Sequence, residues 1–72
     1  MDDNEILKNL GLKLKYRRLQ KGMTQEILAE MVEVHEKYIS KIETGKQNIT
    51  IKTLNRIANS LEIDITSLLI FD

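Results

Sequence analysis

The chain has 72 residues, with 11 Lys and Arg balanced by 11 Asp and Glu, and no Cys, Pro or Trp. That length holds one domain; without cysteine there is no disulfide framework or thiolate metal site, and a lone His35 assembles no zinc centre. No run of about 18 apolar residues exists and the first residues are acidic, so neither a membrane span nor a signal peptide is expected and the default location is cytoplasmic. The awkward feature is a net charge of zero, since a nucleic-acid binder is expected to be basic. The zero hides an alternation. Lys13, Lys15, Arg17, Arg18 and Lys21 form one basic block; Lys37, Lys41, Lys46, Lys52 and Arg56 form a second. Glu26, Glu30, Glu33 and Glu36 separate them, and both ends of the chain are acidic. Charge alone fits an ordinary mixed solvated surface; where each block falls on the fold decides its meaning.

Apolar residues recurring at three- and four-residue steps predict helices throughout. The first, about 5–21, carries Ile6, Leu7, Leu10 and Leu14, and Gly22 stops it in the left-handed conformation. Thr24 caps a second helix, 25–32, with Leu28, Ala29 and Val32 inward and Glu26 beside the positive end of the dipole. Ile39 and Ile42 mark a third helix, 36–44, stopped by Gly45. Thr50 caps a fourth, 51–61, with Leu54, Ile57, Ala58 and Leu61 on one face. Asp64 caps a short last helix, 65–70. Asn48 to Thr53 alternates briefly but is too short for a convincing strand. The expectation is an all-α, five-helix bundle forming a single domain over 1–72.

Helices 25–32 and 36–44, joined by Glu33-Val34-His35, have the dimensions of a helix-turn-helix. Gln25-Glu26-Ile27-Leu28-Ala29, then Val34, then Ile39-Ser40-Lys41-Ile42-Glu43-Thr44-Gly45-Lys46 resembles the phage repressor and Cro type of helix-turn-helix domain, the XRE family. Gly22 to Glu26 before it and Leu54 to Ala58 after it match as well, so the likeness covers about residues 10–69. Asn48 to Leu54 is also similar to controller proteins of restriction–modification systems. The physics is consistent: Ala29 supplies the small residue at a close helix crossing, and Leu28, Val32, Val34, Ile39 and Ile42 close a local core. If Ile39 and Ile42 face inward, Glu36, Lys37, Ser40 and Lys41 lie opposite, with polar groups suited to base edges.

The resemblance implies a role for each residue. Gln25 matches a position contacting phosphate and base; Glu36, Lys37, Ser40 and Lys41 match base readers, with His35 and Tyr38 beside them near the backbone; Thr44, Lys46 and Gln47 match the loop that grips the sugar-phosphate chain. Arg18 and Glu43 match a partly buried ion pair holding the first helix to the third. Plainer readings stand beside these. Lys37 and Lys41 serve equally as solubility charges, Tyr38 as a half-buried wedge, His35 as a cap or solvated turn residue, and Gln25 as a helix-start residue. The sequence departs from the pattern at four places. Glu33 stands where Gly is usual and would bear a positive φ, and His35 stands where a Ser cap is usual. Arg17 takes a commonly aliphatic position, leaving packing to Leu14, Tyr16 or Leu19, and Glu36 would repel phosphates unless it meets a cytosine.

One motif reads only a few base pairs, so relatives present two recognition helices to half-sites about one helical turn apart. Ile65, Leu68, Leu69, Ile70 and Phe71 are more apolar than a small domain needs, and the segment 64–72 is expected to form a symmetric dimer interface. The expected function is a bacterial or phage transcriptional regulator binding a palindromic double-stranded DNA operator as a homodimer. The alternative is a protein-interaction module, such as an antitoxin-like partner, that keeps the fold with little DNA binding. No nucleophile–base pair, Gly-rich phosphate loop or paired carboxylates suggest an enzyme, and no cofactor, metal or membrane partner is expected.

Overall fold

A computed structural model describes residues 1–70. The first helix, α1 (Asp3–Gln20), starts at Asp2, whose carboxylate accepts the Glu5 backbone N–H at 2.8 Å. It is followed by α2 (Gln25–Val32), α3 (Glu36–Glu43), α4 (Ile51–Ser60) and a four-residue α5 (Thr66–Leu69). Thr24 and Thr50 accept the Ile27 and Thr53 N–H groups and so begin α2 and α4. The Asn48–Thr53 stretch forms no strand; its second half is the first turn of α4.

The first four helices end alike. One residue in the left-handed region lets the next N–H reach back five residues: Met23 to Arg18, Val34 to Ala29, Lys46 to Lys41 and Ile63 to Ala58. Gly22 and Gly45 occupy two of these positions, with φ of 68° and 75°, while Glu33 and Glu62 occupy the others at 59° and 57°. A side chain there is disfavoured by roughly 1–2 kcal/mol, which the hydrogen bonds of the turn and the packing beyond it hold in place. The Glu62 carboxylate accepts from Lys21 Nζ at 3.1 Å, an exposed pairing of little energetic weight.

Leu14, Leu28, Ile39, Ile42, Leu54, Ile57, Leu61 and Leu68 are fully buried and form the centre of the core. α3 packs on both α1 and α2; α4 backs α2, and α5 closes the end of the bundle against α1. Ala29 is 4% exposed, as its place between α2 and the neighbouring helices demands. The closest approach is made at Gly11. A methyl group there would overlap the Ile42 carbonyl oxygen and sit 2.7 Å from that of Glu43, so α1 lies directly on the backbone of the last turn of α3.

Several expectations are corrected. Tyr16 and Leu19 do not replace Arg17 in packing: they are 61% and 56% exposed, and α1 packs through Leu10, Gly11, Leu14 and Arg18. The last helix begins at Thr66, not 65; Asp64 still accepts the Thr66 N–H at 3.1 Å, but the turn extends only to Leu69. Leu68 belongs to the protomer's own core and offers nothing to a partner, and Ile65 is half-buried against that core. Leu69 and Ile70 remain exposed, while Phe71 lies outside the described residues. Among the described residues no helix is long and apolar enough to cross a membrane, and no acidic, His or Cys cluster could hold a metal ion.

Candidate nucleic-acid interface

α3 is strongly two-sided. Ile39 and Ile42 are buried, whereas Lys37, Lys41 and Thr44, at steps of four and three, are exposed along one stripe with Ser40 at its edge. Successive residues turn by about 100°, so Glu36 and Tyr38 fall on opposite flanks of this stripe, not within it. Glu36 is exposed. Tyr38 is half-buried and packs its ring against the core, which is the wedge reading of that residue. His35 starts α3 by accepting the Lys37 N–H on Nδ1 at 3.2 Å, a cap of ordinary length despite the unusual residue.

The far end of α3 is fixed by charge. Arg18 donates from Nε to Glu43 Oε2 at 2.6 Å and from Nη2 to Oε1 at 3.0 Å, a two-pronged contact with both side chains buried. Arg18 Nη1 donates to the Met23 carbonyl at 2.7 Å, and Gln25 Nε2 donates to Glu43 Oε1 at 3.0 Å. One carboxylate thus ties together the end of α1, the start of α2 and the end of α3. Gln25 spends one amide hydrogen on that tie and keeps its carbonyl oxygen and second N–H for other partners.

The loop after α3 is similarly held. The Thr44 hydroxyl donates to the Ser40 carbonyl at 3.0 Å, and Gln47 Nε2 donates to the Asn48 carbonyl at 3.0 Å. Lys46 is exposed. Gly45 lies against α1: a methyl group there would meet Lys8 Cγ at 2.8 Å and Lys8 Cα at 3.0 Å. On the other side of the motif Arg56 Nη2 donates to the Val32 carbonyl at 2.5 Å, setting a cation at the C-terminal end of α2. Gly11, Lys8 and Arg56 were not legible as parts of this framework. The available sequence cues were a glycine inside an otherwise sound helix, which signals close backbone approach, and a cation one element removed from a helix end.

A helix whose apolar side is buried against its predecessor, and whose other side shows two lysines and a hydroxyl, is the architecture of a DNA-binding helix-turn-helix domain. The profile of the helix-turn-helix family matches residues 14–68. The chain belongs to this family of DNA-binding transcriptional regulators. It is 35% identical over 66 residues to control protein C.MunI of Mycoplasma, covering 90% of this chain and 89% of that one. It is 36% identical over 69 residues to control protein C.BamHI of Bacillus amyloliquefaciens, covering 94% and 85%. The crystal structure of the restriction–modification controller protein C.AhdI of Aeromonas hydrophila superposes with a TM-score of 0.84 at 29% identity, over 86% of this chain and 94% of that one.

Proposed function

We propose that the protein is a controller of the restriction–modification type, binding a palindromic operator as a homodimer with α3 in the major groove of each half-site. The carrying observation is the Lys37–Lys41–Thr44 stripe on a helix whose other side is buried. Lys41 and Lys37 donate to guanine O6 and N7, Ser40 pairs with several bases, and Glu36, on the flank, accepts from cytosine N4. Gln25, His35, Thr44, Lys46 and Gln47 contact the sugar-phosphate backbone and set the register, while Tyr38, its ring wedged on the core, supports that end of α3. The exposed Leu69 and Ile70 join two protomers, with Phe71 beyond the described residues as a further contributor.

Selection of bound duplexes from a random pool tests this reading and should return an inverted repeat with half-site centres ~34 Å apart. With that site, Lys41→Ala should change base preference at one position per half-site, losing about 1–3 kcal/mol of discrimination. Lys46→Ala should weaken all sequences alike and lower the salt slope by ~1. Uniform losses from both variants would refute the base-reading assignment, and no low-salt shift with any duplex would favour the protein-interaction reading. Leu69→Asp should leave the fold intact, weaken dimerisation by at least ~10-fold and convert cooperative full-site binding into weak half-site binding. Unchanged mass in sedimentation would remove α5 from the interface.

A further inference from the structure

α1 buries one face, yet a second apolar row runs along its opposite side. Leu12, Tyr16 and Leu19, at steps of four and three, are 62%, 61% and 56% exposed. Two exposed lysines, Lys8 and Lys15, border one edge of this row. α2 carries a counterpart. Ile27 and Met31, one turn apart, are 45% and 50% exposed, and the exposed Glu26, Glu30 and Glu33 border one edge.

We infer that the α1 face of one copy of this chain docks on the α2 face of a second copy, with the two helices antiparallel. The charges are comparably placed: Lys8 and Lys15 stand about 10.5 Å apart along α1 and Glu26 and Glu30 about 6 Å apart along α2 at the helical rise, with Glu33 just past the last turn of α2. They also match in hand. At about 100° per residue, both lysines fall on the same rotational side of Leu12 as Glu26 and Glu30 do of Ile27. Two facing helices bring such edges together only when they run in opposite directions; a parallel arrangement leaves the lysines and glutamates on opposite sides of the contact. In the antiparallel register Lys15 meets Glu26 and Glu30 lies between the two lysines, with the turn at Glu33 at the Lys8 end. Ile27 then seats between Leu12 and Tyr16, and Met31 beside Leu12 and the stem of Lys8. Glu5, at the start of the α1 row, lies past the end of the partner helix.

Alternative pairings are poorer. α1 against α1 opposes lysine with lysine, and α2 against α2 opposes glutamate with glutamate, which selects the mixed contact. A net charge of zero removes the general repulsion that would keep copies apart. Because the two surfaces differ, a docked pair retains one free face of each kind, the α2 face of one copy and the α1 face of the other, so association continues beyond two copies. This contact is separate from the α5 dimer proposed above.

Sedimentation velocity on the full chain without DNA tests the contact, with circular dichroism confirming that each variant folds. The wild type should gain mass beyond a dimer with concentration at low salt and lose it at high salt. Lys15→Glu alone and Glu26→Lys alone should each weaken this step by ~10-fold, because like charges then face one another. An equimolar mixture of the two variants should regain wild-type association, since every contact between unlike copies is again complementary. Leu69→Asp should leave the step intact, so its loss is distinguishable from loss of the α5 dimer. A wild type that never exceeds a dimer, single variants that associate normally, or a mixture no better than its components would each overturn the inference.

Discussion

Glu43→Ala should lower the melting temperature by roughly 12–40 °C. Glu43 neutralises a buried guanidinium, and its side chain is 2% exposed. Its removal strands Arg18 with the Met23 carbonyl as its hydrogen-bond acceptor, and breaking a buried pair from one side costs about 3–5 kcal/mol. A domain of this size has a total stability of about 4–11 kcal/mol, so the loss is a large share of the whole, and the temperature shift follows from the entropy of unfolding a small domain. Replacing both partners, as Arg18→Met with Glu43→Leu, should recover most of the stability, because the desolvation of two charges disappears together. DNA affinity should not recover in parallel, since Gln25 loses its anchor on Glu43. Urea and thermal unfolding measure both outcomes. A Glu43→Ala protein within 1 kcal/mol of wild type, on the same scale of about 3–5 kcal/mol, would mean that the pair does not hold the helices together.

Gly11→Ala should destabilise the protein even though alanine is the better helix former. The gain in helix propensity is about 1 kcal/mol. Against it stands a methyl group overlapping the Ile42 carbonyl oxygen and lying 2.7–2.8 Å from the Glu43 carbonyl group, all of it backbone that cannot rotate away. α1 must lift off the end of α3, which also stretches the Arg18–Glu43 contact, and overpacking of this kind costs about 1–3 kcal/mol or more. The net effect should be a loss, and it should be less than additive with Glu43→Ala because both changes open the same seam. Equilibrium unfolding of the single and double variants tests it; a Gly11→Ala protein more stable than wild type would show that α1 is free to shift.

Much of this was legible in the sequence because local chemistry and periodicity agree. Thr24 and Thr50 announce their helices, Gly22 and Gly45 end theirs, and Glu33 takes the positive φ that its position requires. α1 resisted reading for a physical reason. Leu10 and Leu14 point inward while Leu12, Tyr16 and Leu19 point out, so apolar residues ring the helix and its period does not say which side is buried. The partners alone decide, and they are distant in sequence: Gly11 answers to Ile42 and Glu43, thirty residues on. Leu68 misled in the same way. A terminal apolar run looks like surplus until the gap at the end of the bundle that one of its members fills is known. At the proposed DNA face the exposed residues of α3 were readable from spacing, but the engagement of Gln25, Thr44 and Gln47 with the protein's own backbone and side chains was not.

The close seating of Gly45 on Lys8 reaches into the thermodynamics of recognition. The segment after α3 is already immobilised by the Lys46-to-Lys41 hydrogen bond on one side and by the body of α1 on the other. Ordering a flexible loop on a ligand consumes binding free energy for every residue frozen, and here that entropy was lost during folding. On the proposed reading, in which α3 enters the major groove, a protomer can therefore direct most of its contact energy to the duplex, and calorimetry of operator binding should show a heat-capacity change set by the surface buried, with no added term for folding of the loop.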